Sequence, residues 1–166
     1  MDEFTIDRGL TIGYGLTVTR GLPGCGKTTC TRDLIAAAPP GSVVRLNRDD
    51  YRLMMFGGWT GDGRHEDRVT AAQVAAARDL LRGGIDVICD DTNLPDAAMV
   101  RWRAIADEVG CDLTVWDLRG VDLAVCLANN NRRIGTAAYV SPIVINDMWD
   151  THIAPYLASI EGSTEQ

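Results

Sequence analysis

Residues 21–28 read Gly-Leu-Pro-Gly-Cys-Gly-Lys-Thr and satisfy every fixed position of the phosphate-cradling pattern GxxxxGK[ST]. Glycines let backbone N–H groups come close to the β- and γ-phosphate oxygens of a nucleoside triphosphate, a helix N-terminus favours the negative charge, and Lys27 supplies a mobile cation. Gly24, Cys25, Gly26, Lys27, Thr28 and Thr29 are therefore the expected contacts to ATP, with the Thr28 hydroxyl offered to Mg²⁺. The pattern carries weight only where a strand turns into a helix. Leu16-Thr17-Val18-Thr19 is short and β-branched, and residues 27–38 have a helical pattern, so the loop falls at such a junction.

A second cluster, Asn47-Arg48-Asp49-Asp50-Tyr51-Arg52, brings two carboxylates and two of its arginines just beyond a second predicted strand. Transfer of a phosphoryl group to an alcohol needs a base for the hydroxyl proton, whereas a phosphate acceptor needs none. Asp49 is the expected base, Asp50 the expected cap of the next helix, and Arg52, one helical turn on, a fork for a phosphate on the acceptor. The competing reading is a capped helix with solvated charges. Asp91-Thr92-Asn93 follows the third predicted strand, where Asp91 would hold a water of the Mg²⁺ shell or orient Lys27. The sequence separates Asp90 from Asp91 only weakly. Thr92 and Asn93 also suit the start of the helix at Pro95. Arg132 and Arg133 suit a flap closing on the transferring group, or equally a helix end that favours cations. His65 and His152 lack metal-ligand spacing. Trp59, Tyr139 and Trp149 are candidates for stacking on a base, with burial in the core the commoner fate of such residues.

The elements that must position these residues alternate. Strands are expected at 16–19, 43–46, 85–89 and 113–118, and helices at 27–38, 50–56, 66–81, 96–109, 123–131 and 142–157. Loops are expected at 57–64 and 132–141, a possible extra strand or hairpin in residues 1–15, and a polar tail at 161–166. Such alternation gives an α/β fold: a parallel sheet of about four or five strands, helices on both faces, and a crevice at the carboxyl ends of the strands. The phosphate loop, Asp49 and Asp91 all fall at such ends.

At 166 residues and 46 % hydrophobic the chain suits one such domain, spanning 16–160. A formal charge of −7 argues against coating duplex nucleic acid by bulk electrostatics, but not against gripping one strand end through a few arginines. The five cysteines lack CxxC spacing and read as reduced thiols of a cytoplasmic protein. Cys25 is a redox-sensitive thiol or, more simply, a tolerated variable position of the loop. No basic segment precedes an apolar stretch at the N-terminus, and no apolar run nears eighteen residues.

Taken together, residues 21–29, 47–52 and 91–94, and more loosely 129–142, resemble the kinase domain of the bacteriophage-type polynucleotide 5′-kinase/3′-phosphatase, among the small P-loop kinases. The resemblance implies the P-loop NTPase fold with a lid, ATP and Mg²⁺ as cofactors, and the 5′-hydroxyl end of DNA or RNA as the partner substrate. Carried over residue by residue, it implies Asp49 as general base, Arg52 on the acceptor's 3′-phosphate, and Arg133 on the donor phosphates. Asn129 stands where the family's first lid arginine would be, and Arg132 is the substitute for Arg133. The length leaves no room for the phosphatase half. Relatives that phosphorylate hydroxymethylated bases or small metabolites keep a second acceptor class open. A nucleotide-dependent switch that transfers nothing is a third reading, and Asp49 argues against it.

Overall fold

The computed structural model describes residues 4–6, 10–12 and 15–164, with side chains over 15–162. Its centre is a four-stranded, all-parallel sheet. Strand β3 (Gly15–Arg20) lies between β5 (Asp86–Cys89) and β6 (Asp112–Asp117), with β4 (Val43–Leu46) outside β5, giving the order β4-β5-β3-β6. Thr17 of β3 lies opposite Ile88 on one side and Thr114 on the other, so all carboxyl ends share one edge. Strands β1 (Phe4–Ile6) and β2 (Leu10–Ile12) pair antiparallel as a separate two-stranded sheet, the form expected for an extra hairpin.

Alternation along the strands decides which helices cover which face. Leu16, Val18, Val87 and Cys89 pack with Ala77 and Leu81 of α3 (Gly63–Arg82) and with Trp102, Ile105 and Ala106 of α4 (Asp96–Val109). Ile88 and Trp116 point the other way, onto Cys30 and Leu34 of α1 (Lys27–Ala37). A third cluster joins Leu22 and Cys25 of the phosphate loop to Leu94, to Cys126 of α5 (Leu123–Asn131) and to Ile145 of α6 (Pro142–Met148). It is this cluster that fixes the loop to the C-terminal helices. The described cysteines are all free thiols, and burial raises Cys126 to about 11, so it stays protonated at neutral pH.

Three local expectations change. Helix α2 (Arg48–Phe56) starts earlier than residue 50 because Asn47, not Asp50, caps it, its side-chain oxygen accepting from the N–H groups of Asp49 and Asp50. Asp50 instead pairs with Arg45 at 2.5 Å. Asn93 and Thr92 do not cap α4: Asn93, at φ 43°, donates to the Thr19 carbonyl at 2.9 Å and accepts from Trp102 Nε1 at 3.0 Å, while the Thr92 carbonyl accepts from Gly21 N–H at 3.0 Å. The last helix is not one rod. A π turn at Trp149–Ile153 separates α6 from α7 (Ala154–Thr164), so the expected polar tail is helical as far as Thr164. Pro155 supplies the reason, since it has no N–H to donate and its ring crowds the carbonyl four residues back.

Candidate functional site

A cleft of about 570 Å³ opens at the carboxyl edge of the sheet and is lined by Gly24, Gly26, Lys27, Thr28 and Thr29, by Asn47 to Asp50 and Arg52, by Asp90 to Asn93, and by Arg133. That volume lies within the usual range for small-molecule sites. The three motif stretches read from the sequence thus meet in one place. Seven cationic side chains line it against four carboxylates, although the chain as a whole carries −7. Positive charge has been concentrated where an anion would sit.

The floor of the cleft is the start of α1. Asn47, Asp62 and Asp122 cap α2, α3 and α5 with side-chain oxygens, whereas Gly26 caps α1 with none and no acidic residue stands in its first turn. The N–H groups of that turn are left to a ligand, and the dipole selects an anion. Lys27 is 8 % exposed; its ammonium donates to the carbonyls of Gly21 at 2.8 Å and Leu22 at 2.6 Å, and lies 3.5 Å from Cys25 Sγ. Asn129 of α5 donates to the Gly24 carbonyl at 3.0 Å and so clamps the loop from above.

Asp90 and Asp91 diverge because consecutive residues leave the end of β5 toward opposite faces. Asp91 turns with Cys89 toward α3, where it accepts from Gln73 Nε2 at 2.5 Å and from the Arg48 backbone N–H at 2.8 Å. Burial pushes its pKa above the ordinary aspartate range, against those two hydrogen bonds, which pull it down. Its carboxylate ties the turn after β5 to α2 and α3. It does not orient Lys27, whose partners are loop carbonyls. Asp90 turns with Ile88 toward the phosphate loop: one oxygen accepts from Arg45 Nε at 2.6 Å, and the other, Oδ1, is buried among the described residues with no hydrogen-bond partner. A fully buried carboxylate oxygen without a donor is the position a hydrated cation would satisfy. Thr28 lines the same cleft, and its hydroxyl together with Asp90 Oδ1 suits Mg²⁺, a metal that takes few protein ligands and keeps its waters and phosphates.

Asp49 stands at the mouth, its side chain 74 % exposed and paired with Arg52 Nη1 one helical turn away. The other edge of the Arg52 guanidinium forms a fork with Glu66 of α3, at 2.7 Å and 2.6 Å, and Arg48 adds a third contact to the same carboxylate at 2.5 Å. Glu66 thus sets the plane of Arg52 and, through it, the place of Asp49. Sequence reasoning missed it, because it lies on another helix with no fixed spacing from Arg52. The two arginines hold the Glu66 carboxyl below the ordinary glutamate range, with the Arg52 hydrogen bond the largest cause. A folded-state pKa below the unfolded one means that the stabilisation is complete above the ordinary glutamate pKa and is lost as pH falls through the lowered value. Glu66→Gln is expected to cost about 1–2 kcal/mol at neutral pH and to remove part of the stability lost on acidification, as read by urea titrations at neutral and acid pH.

Arg133 lines the cleft; Arg132 is exposed and reaches Asn129 Oδ1 at 3.3 Å. The segment between α5 and α6 is a chain of turns, pinned at its far end by the buried Asn130, which donates to the Val140 carbonyl at 2.7 Å and accepts from Val140 N–H at 3.0 Å. Of the three aromatics considered for stacking, Trp59 is 68 % exposed and Tyr139 36 %, while Trp149 packs partly buried under α6.

A family profile described as an AAA domain, AAA_33, matches residues 16–155. The chain belongs to that family. A chain of the Pnkp1/Rnl/Hen1 RNA repair complex superposes with a TM-score of 0.72 at 26 % identity, over 86 % of this chain and 45 % of that one. A chain from another structure of the Pnkp1/Rnl/Hen1 complex gives 0.63 at 28 %, over 72 % and 40 %. This family member spans less than half the length of those chains. A gluconokinase from Sinorhizobium meliloti 1021 shares the fold, at a TM-score of 0.55 and 20 % identity, over 86 % of this chain and 77 % of that one. No curated protein matches significantly. The fold is that of the P-loop kinases, and the resemblance to the polynucleotide-kinase type read from the motifs is borne out. No described helix is long and apolar enough to cross a membrane.

Proposed function

We propose that the protein is an ATP-dependent polynucleotide kinase that moves the γ-phosphoryl group onto the 5′-hydroxyl of a DNA or RNA end. The observation that carries this reading is the exposed Asp49 carboxylate at the rim of the same cleft whose floor is the uncapped turn of α1. A nucleotide switch has no use for a base there, whereas an alcohol acceptor requires one. The structural likeness to chains of an RNA repair complex supports a nucleic-acid end as the acceptor.

In this reading the N–H groups of Gly26 to Thr29 and the Lys27 ammonium hold the donor phosphates, Lys27 leaving its carbonyls as the anion arrives. Thr28 and Asp90 would hold Mg²⁺, which would supply positive charge against that of the donor phosphates. Asp49 takes the proton from the 5′-hydroxyl, and Arg52 keeps it oriented while presenting positive charge to the phosphate on the acceptor's 3′ side. Arg133, from the pinned flap, stabilises charge on the transferring group. Little covalent chemistry is asked of the protein beyond positioning and electrostatics.

Incubation with γ-labelled ATP and a panel of acceptors tests the reading. Label is expected on 5′-hydroxyl oligonucleotides and not on free nucleosides, sugars or hydroxymethylated bases within DNA. Label on one of the latter alone makes the protein a kinase of another alcohol, and inorganic phosphate alone makes it a switch.

A further inference from the structure

Beside the reacting carboxylate the surface is unexpectedly apolar. Trp59 is 68 % exposed and Leu53 60 %, whereas tryptophan and leucine side chains are ordinarily among the more buried. Leu53 follows Asp49 by four residues on α2, so the two share a helix face. Trp59 lies in the loop after α2, which leaves the helix at Gly57 with φ 74°, and its ring sits 5.4 Å from the centre of the Arg52 guanidinium, within cation–π range. That guanidinium also binds Asp49. A single side chain therefore links the indole to the carboxylate expected to deprotonate the acceptor.

We propose that Trp59 and Leu53 form the platform on which the terminal nucleobase of the acceptor strand packs, so that the base is held against the indole while its sugar hydroxyl meets Asp49. The inference rests on the polynucleotide-kinase reading and names what that reading leaves open, which part of the acceptor is recognised. The occupant follows from the chemistry of the patch and its continuity with the site. A flat π surface next to an arginine suits a heteroaromatic ring joined to a phosphodiester, and stacking tolerates all four bases. A sugar or an aliphatic alcohol has no π face to offer it. Trp59 contributes affinity and orientation rather than proton transfer, and is a positioning residue.

The test compares two oligonucleotides, alike except that one carries a normal 5′-terminal nucleotide and the other an abasic one, both with a 5′-hydroxyl. Wild type should prefer the intact end by about 10- to 100-fold in kcat/KM, the range expected for one base stacked on an aromatic ring. Trp59→Ala should lose most of that preference, slowing transfer to the intact end by far more than transfer to the abasic end, with the KM for ATP little changed. Trp59→Phe should keep most of it. Because the reading is a ratio within one preparation, a partly folded variant does not distort it. An undiminished preference in Trp59→Ala, or equal transfer to both ends by wild type, overturns the platform and leaves the kinase reading standing. Failure of wild type to phosphorylate either end overturns the kinase reading, and the platform with it.

Discussion

Asp49→Asn should slow phosphoryl transfer by about 100- to 10,000-fold, the usual contribution of a positioned general base, while the affinity for ATP changes little. The expectation comes from where the side chain stands. At 74 % exposure it supports no packing, and its partner Arg52 remains anchored through the Glu66 fork when the carboxylate becomes an amide. The fold should therefore survive, and the loss should appear in kcat rather than in the KM for ATP. Steady-state kinetics with nucleotide binding followed separately by calorimetry checks both halves. A variant that lost ATP binding and transfer together would show that Asp49 holds the cleft in shape.

Gly24→Ala should have the larger effect on nucleotide binding and on stability. Gly24 sits at φ 85°, in the left-handed region that L side chains rarely adopt, and a Cβ there would lie 2.2 Å from the Cys126 carbonyl oxygen of α5. Neither partner has freedom to retreat. The Gly24 carbonyl is held by Asn129 of the same helix, and Cys126 is buried in the cluster beneath the loop with Leu22, Ile145 and Ile153. Relief requires α5 to move off the phosphate loop. The backbone strain alone is about 1–3 kcal/mol, to which the lost packing adds. The expected outcome is a lowered melting temperature and ATP binding weakened beyond measurement, read by thermal denaturation with and without nucleotide. The substitution separates this loop from a flexible glycine-rich turn, in which alanine would be tolerated.

The parallel sheet was legible because β5 is a near-continuous apolar run and β3 a short, alternating β-branched one, with helical patterns between them, and β5 is indeed buried on both faces, Val87 and Cys89 to one side and Ile88 to the other. The start of α1 was legible for a related reason, since its glycines leave the turn without a cap. That Asp49 and Arg52 stand side by side was legible because a separation of three puts two residues next to each other on one helix face. What stayed hidden depended on meetings between distant elements. Glu66 reaches Arg52 from another helix, and Gln73 claims Asp91 from the same one. The choice between Asp90 and Asp91 needed the knowledge of which sheet face bears α1; once Ile88 is placed there, alternation sends Asp90 toward the phosphate loop. Asn130 looked like one of three equivalent asparagines at a helix end, yet it is the buried one that fastens the flap through Val140.

The central claim is spatial: donor phosphate and Asp49 face each other with room for a hydroxyl between them. The direct measurement is a crystal structure of the protein with a non-hydrolysable ATP analogue and a 5′-hydroxyl oligonucleotide. The account predicts the triphosphate on the N–H groups of Gly26 to Thr29, and the 5′-oxygen about 2.6–3.2 Å from an Asp49 carboxylate oxygen and in line with the γ-phosphorus. A complex in which the oligonucleotide is bound with its 5′-hydroxyl directed away from the nucleotide, and Asp49 turned to solvent, would contradict it.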